Sequence, residues 1–308
     1  MDNLHDIEVI GLGQACFDCL GQVPYFPDED DKIEITTLHM QCGGPVATAL
    51  TVLSRFGIST SFLGSISNDY FGTEILDSLR NKSIDTTLLK ITPGKTSQFA
   101  FISINKTNGN RNIFWKRSSA PFLSADEINL SKFKNAKYLH LDGLMIEASI
   151  EAAKQAKKSG IKVVIDAGTL RDGFLDLLPL ADTLITSEKF AVSISGKDNF
   201  TPESALKKLK ELSNADTIII TRGSKGSTGL SRDNIIIQSA FKIDAVDTTG
   251  AGDVYHGAYI YGLIMEWDVP SCMRFASAVS AITCKQVGVK NTIPALEEVK
   301  KFIDSNEF

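Results

Sequence analysis

The stretch AVDTTGAGDVYHGA, from Ala245 to Ala258, changes character over a few residues. Val246, Thr248 and Thr249 make a short β-branched run, Gly250-Ala251-Gly252 a sharp turn, and Asp253 opens an apolar run through Tyr259, Ile260, Leu263 and Ile264. That pattern predicts a loop feeding a helix N-terminus. Unpaired backbone N–H groups and the positive end of the helix dipole make such a point an anion site, and the absence of side chains at Gly250 and Gly252 lets a phosphate come close. Asp253 stands beside it, where a carboxylate accepts a proton from a hydroxyl attacking a phosphoryl group. As a bare Gly-x-Gly, the same residues would be only a turn before a buried helix, with Asp253 as its cap.

With 308 residues, 43% of them hydrophobic, the chain can bury the core of one large α/β domain, or of one domain plus a smaller piece. A net charge of -5 and a pI near 5.5, with Lys and Arg interspersed among acids, argue against a nucleic-acid partner. No segment approaches the roughly 18 consecutive apolar residues of a membrane span, and the N-terminus lacks the basic start of a secretory signal. The odd number of cysteines fits reduced thiols, and a cytoplasmic protein is expected. Cys16 and Cys19 have Cys-x-x-Cys spacing but no second pair to complete a zinc site, so packed or idle thiols are expected.

Ile7 to Gly13 is a short apolar run closed by glycine, as in a central parallel strand. Gly11-Leu12-Gly13 begins a dinucleotide fingerprint, but its third glycine falls on Cys16, which argues against an NAD-dependent Rossmann enzyme. Asp18 follows the strand in what reads as a loop. Lys32 to Met40 alternates like a strand, Gly43-Gly44-Pro45 opens a helix whose apolar face includes Ala47, Leu50, Leu53 and Phe56, and Gly57 stops it. Ser61 to Ile66 is a further strand, and Asn68 or Asp69 either caps the next helix or approaches a ligand. Thr96 to Ile104 and Arg111 to Trp115 flank Asn108-Gly109, a two-residue hairpin signal. From Asn135 onward strands at 138–141, 163–166, 183–186 and 216–220 alternate with helices, the pattern of a parallel sheet covered on both faces, with ligands at the C-terminal strand ends. His256, three residues after Asp253, would share its helix face as a plain packed or solvent-facing side chain.

The full string Asp247-Thr248-Thr249-Gly250-Ala251-Gly252-Asp253 resembles the C-terminal signature of the ribokinase-like (PfkB) family of carbohydrate and nucleoside kinases. The resemblance covers nearly the whole chain and is strongest at Gly43 to Gly57 and Ala245 to Ala258. It implies a three-layer α/β/α fold with a mostly parallel central sheet, one kinase domain over 1–308, and a small β-sheet lid formed by about 19–41 and 95–118. It also implies ATP-dependent phosphorylation of a hydroxymethyl group on a small sugar, with Asp253 as base and the amides of Gly250, Ala251 and Gly252 as anion hole. At a helix N-terminus, Asp253 is expected to be a weak base.

By the same resemblance Asp18, Gly43, Gly44 and Thr48 hold the sugar, with Thr48 where the family has an asparagine, and Lys32 faces an anionic tail. Ser187, Thr221, Gly223, Ser224, Gly226 and Thr249 belong to the nucleotide site, and the Gln286 to Asn291 loop lies near adenine. The family's Asn-x-x-Glu, used toward phosphate and Mg2+, is replaced by Ser187-Glu188-Lys189-Phe190, which leaves Glu188 as the carboxylate offered to magnesium. Asp247 and Thr249 match positions that help bind a monovalent cation such as K+ in some members. Gly43 to Ala49 and Arg274 to Lys285 are locally most similar to sulfofructose kinase-like members, although Trp115 and Leu144 stand where a sulfonate would want polar partners. A ketose such as fructose, or a derivative, is therefore the expected substrate, and a homodimer through the lid the expected assembly. The alternatives are a nucleoside kinase of the same fold and a non-catalytic nucleotide or sugar sensor.

Overall fold

Val9–Leu12, Thr60–Leu63, Tyr138–Leu141, Lys162–Ala167, Thr183–Ser187 and Thr217–Thr221 are short, largely buried runs rich in aliphatic and β-branched side chains, suited to strands covered on both faces. In the computed structural model, which describes residues 5–198, 200–288 and 292–306, they form the parallel part of an eight-stranded sheet. The order from one edge is Thr60–Leu63, Val9–Leu12, Tyr138–Leu141, Lys162–Ala167, Thr183–Ser187 and Thr217–Thr221. Ser227–Ser231 and Asn234–Gln238 complete it as antiparallel strands.

Side chains along each strand alternate between two cores. Val9, Val164 and Ile219 join the helices Pro45–Arg55, Ala251–Ile264 and Val269–Thr283 on one face. Ile10, Val163, Ile165, Ile218 and Ile220 join Ile146–Lys158, Glu188–Ser195 and Pro202–Leu212 on the other. The period of two thus builds the α/β/α layers expected from the sequence. Where Pro45–Arg55 crosses Ala251–Ile264, a Cβ on Gly257 would lie 2.4 Å from the Ala49 carbonyl oxygen, so only glycine permits that approach.

A second, four-stranded sheet has the order Thr37–Gly43, Cys16–Val23, Phe99–Asn105, Arg111–Lys116. Three sequence expectations need correction here. Asp18 is not in a loop: it lies within Cys16–Val23, a strand whose weak intrinsic pattern is overridden by pairing on both sides. The strand expected from Lys32 begins at Thr37, and Lys32 is exposed in the segment before it. The hairpin is not closed by two residues: Asn105 N donates to the Asn110 carbonyl, and the Asn105 side chain accepts from Thr107 N, which builds the longer turn.

Candidate active site

The Gly250 turn is built as its glycines predict. Gly250 is left-handed, with φ 74°, and the helix Ala251–Ile264 follows it directly. Among the described residues, the amides of Gly250, Gly252 and Asp253 have no hydrogen-bond partner, whereas Ala251 N turns to the Thr248 carbonyl at 3.3 Å. The free donors are therefore those of 250, 252 and 253, a shift from the expected 250, 251 and 252. A Cβ on Gly252 would meet nothing within 4 Å, so this turn of helix borders open space.

Asp253 is half-buried at that point. Its carboxyl is held well above the usual range by burial, then by the nearby charges of Asp166, Asp142 and Asp18, with Arg111 opposing them. The weak base expected from the helix N-terminus is therefore not what the surroundings favour, because burial first, and then three aspartate charges, raise its proton affinity. Neither Asp142 nor Asp166 was singled out in the sequence. Both sit at the C-terminal ends of adjacent strands, Tyr138–Leu141 and Lys162–Ala167, and the signal that finds them is an Asp closing a buried parallel strand. Asp142 accepts from Gln14 N at 2.8 Å and Leu144 N at 2.9 Å, yet burial raises it to about 7. Asp166 is also raised by burial, opposed by His256 and Arg171.

Asp18 is 7% exposed and pushed up to about 6 by burial. Cys16 Sγ donates to its Oδ1 across 2.8 Å, a packed thiol as expected, while Cys19 points to the opposite face of the strand. A Cβ on Gly43 would fall 2.5 Å from Asp18 Oδ2, and one on Gly44, at φ 104°, would fall 2.3 Å from the Gln14 carbonyl oxygen. Gly44 is the N-cap of Pro45–Arg55 and its carbonyl accepts from Thr48 N, which brings Asp18, Gly43, Gly44 and the buried Thr48 together. No hydrogen bond or ion pair joins Lys32 to this group. Asp69 caps Tyr70–Asn81, accepting from Gly72 N, and Asn68 accepts from Gly94 N.

Thr221, Gly223, Ser224, Gly226, Gly252 and Tyr255 border one cavity of about 470 Å³, which also reaches Cys284. Ser187 and Thr249 are not among its lining residues. Ser187 caps Glu188–Ser195 and donates to the Gly168 carbonyl, and Thr249 accepts from Arg111. Glu188 Oε1 is held by Arg222 Nε at 3.2 Å and Lys225 Nζ at 3.4 Å. Both Asp247 oxygens accept backbone amides, from Thr249 N and Gly288 N. Among the described residues no cluster of three or more His, Cys, Asp or Glu could hold a metal ion, and no helix is long and apolar enough to cross a membrane. Of the Gln286 to Asn291 loop, 289–291 lie outside the described residues.

Residues 6–296 match the family model described as pfkB family carbohydrate kinase. A ribokinase from Haemophilus influenzae is 27% identical over 301 residues, covering 95% of this chain and 97% of the relative. A ribokinase from Arabidopsis thaliana, solved with ribose and ATP, superimposes with a TM-score of 0.81 at 22% identity, covering 97% and 99% of the two chains. An E. coli protein assigned as ribokinase II, solved with ATP and Mg2+, gives 0.83 at 21% identity, covering 97% and 100%.

Proposed function

The chain belongs to the pfkB family of carbohydrate kinases, and we propose that it transfers the γ-phosphoryl group of ATP to a hydroxymethyl oxygen of a small sugar or sugar derivative. The observation that carries this reading is the place of Asp253, its proton affinity raised by burial and by its aspartate neighbours, beside the unpaired amides of Gly250 and Gly252. Asp253 takes the hydroxyl proton while the sugar oxygen bonds to phosphorus, and the bond from phosphorus to the leaving oxygen breaks with its electron pair staying on ADP. The amides of 250, 252 and 253 receive the phosphoryl oxygens. A carboxylate whose proton affinity is raised suits a transition state in which the proton moves late.

Asp18, with Oδ2 against Gly43, is suited to accept from two sugar hydroxyls, and Thr48 contributes at the same wall. The apolar and hydroxyl-lined cavity from Thr221 to Gly252 has the size and chemistry for a nucleotide. Bound with the phosphates, Mg2+ offsets their charge. Glu188 and Asp166 are the carboxylates that fit its water shell. A potassium ion at Asp247 is the part least favoured, since backbone amides already take both oxygens. The free cysteines fit a reducing cytoplasm.

Cross-strand register puts Met40, Cys19, Phe101 and Phe114 on the small sheet's outer face, away from Asp18, with Phe114 63% exposed. A second copy covering that face would bury it, while the inner face acts as a lid. Sugar-dependent ADP release across ketoses, aldoses, sugar acids and nucleosides tests the reading. Release with nucleosides alone would replace it by a nucleoside kinase, and nucleotide binding with no acceptor-dependent release by a sensor.

A further inference from the structure

A second cavity of about 470 Å³ lies where the helices Pro45–Arg55 and Tyr70–Asn81 end side by side, and it shares no lining residue with the nucleotide cavity or the Asp18 group. Ser54 Oγ donates to the Lys82 carbonyl and joins the two ends. The volume falls within the roughly 300–1,000 Å³ of small-molecule sites. Arg55, Asn81, Lys82 and Ser83 line it, and no carboxylate does, in a chain with 37 acidic and 32 basic residues.

Basic side chains at helix C-termini ordinarily offset the dipole, but here they exceed it. Two helix ends amount to roughly -1 against +2 from Arg55 and Lys82, which leaves about one unit of positive charge facing the cavity. The last carbonyls are taken as well, those of Leu53 and Ser54 by the amides of Phe56, Gly57 and Ile58, those of Leu79 and Arg80 by the amides of Lys82, Ser83 and Ile84. They do not compete for the cations. Among the described residues no ion pair or hydrogen bond engages the Arg55 side chain, whose planar fork of donors matches a phosphate.

We propose that this cavity is an effector site that binds a small phosphate ester of a polyol, with Arg55 and Lys82 on the phosphate and Asn81 and Ser83 on the hydroxyls. Two unit charges match a dianion, and the volume is several times that of a phosphate group, so the carbon skeleton has room beside it. Both walls lead to the substrates. Pro45–Arg55 runs about 16 Å from Arg55 back to Gly44 and Thr48, and Thr51, which also borders the cavity, donates to the Ala47 carbonyl one residue from Thr48. On the other wall stands Ile293, whose neighbour Thr292 donates to the Gly288 carbonyl, while Gly288 N donates to Asp247. The binding claim stands without the kinase reading, whereas the effector role rests on it.

The test is calorimetric titration with inorganic phosphate in one arm and glycerol 3-phosphate in the other, with Mg2+ and a non-hydrolysable ATP analogue saturating the Gly250 turn. Glycerol 3-phosphate binds wild type at one site and at least about threefold more tightly than phosphate, and Arg55→Gln weakens it at least about tenfold with the urea midpoint unchanged. Equal affinity in the two arms would overturn the ester in favour of the free ion. Affinity unchanged in both Arg55→Gln and the double variant Arg55→Gln, Lys82→Gln, or no binding to wild type up to about 10 mM, would overturn the site. In turnover, glycerol 3-phosphate shifts the wild-type sugar KM at least about threefold and leaves that of Arg55→Gln in place. No shift in wild type, or the same shift in the variant, would overturn the effector role. A wild type that turns over no sugar would instead sink the kinase reading, and the titration would still decide the site.

Discussion

His256 Nε2 lies 3.5 Å from Asp166 Oδ1, and this contact ties the helix carrying Asp253 to the strand end beneath it. The other ring nitrogen, Nδ1, is 2.7 Å from the Gly252 carbonyl oxygen, in the first helical turn. The ring also lies tilted against buried His140, with centroids 5.7 Å apart. His256 is therefore packed, as the sequence suggests, but packed as a link. His256→Leu leaves the Asp166 carboxyl facing an apolar side chain, and we expect a loss of about 1–3 kcal/mol together with reduced turnover. An unchanged urea midpoint would show that the link carries no stability.

Asp142 makes stability depend on pH in a direction opposite to that of most carboxylates. Burial raises it from 3.8 to about 7 in the folded chain, so the folded state holds a proton that the unfolded state has released. The stabilisation is complete below about pH 4, near the unfolded value, and is lost as pH rises toward 7. That span corresponds to at most about 4 kcal/mol. Urea midpoints should fall between pH 5 and pH 7.5, and Asp142→Asn, which cannot ionise, should flatten the slope. An equal slope in both proteins would remove Asp142 as its source.

Gly252→Ala separates binding from folding. The added methyl meets no protein atom within 4 Å and replaces a helical glycine, so stability should rise by about 0.5–1 kcal/mol. The same methyl occupies the space a phosphate needs, so KM for ATP should rise at least about tenfold. A more stable protein with unaltered ATP kinetics would mean that phosphate lies elsewhere.

The outer face of the small sheet predicts an assembly. Light scattering should give twice the 33.5 kDa chain mass for wild type and the chain mass for the double variant Met40→Lys, Phe114→Lys. A wild-type monomer would exclude the dimer.

The sequence shows most plainly what is local. The Gly250 turn, the Asp253 helix, the Gly44 helix start and the alternation of strand and helix after 135 depend on neighbours in the chain, and each is where periodicity and glycine placement suggest. The site's electrostatics are not local. Asp142 and Asp166 meet Asp253 only because Tyr138–Leu141 and Lys162–Ala167 are adjacent in the sheet, which no spacing encodes. Arg111 and its threonine partners are separated by 137 and 138 residues, and Arg111 stands on an otherwise unremarkable exposed strand. The strand holding Asp18 is hidden for the same reason, since both of its neighbours come from later in the chain.

The central claim is that Asp253 removes the proton from the accepting hydroxyl. The most direct measurement is kcat/KM against pH, in wild type and Asp253→Asn, with the sugar the panel identifies. The account predicts a wild-type acid limb falling well above pH 4, since Asp253 must be deprotonated to act and its proton affinity is raised. It also predicts at least about a 10³-fold loss in Asp253→Asn, with ATP affinity retained. A variant that transfers phosphoryl at the wild-type rate, with the same acid limb, would contradict it.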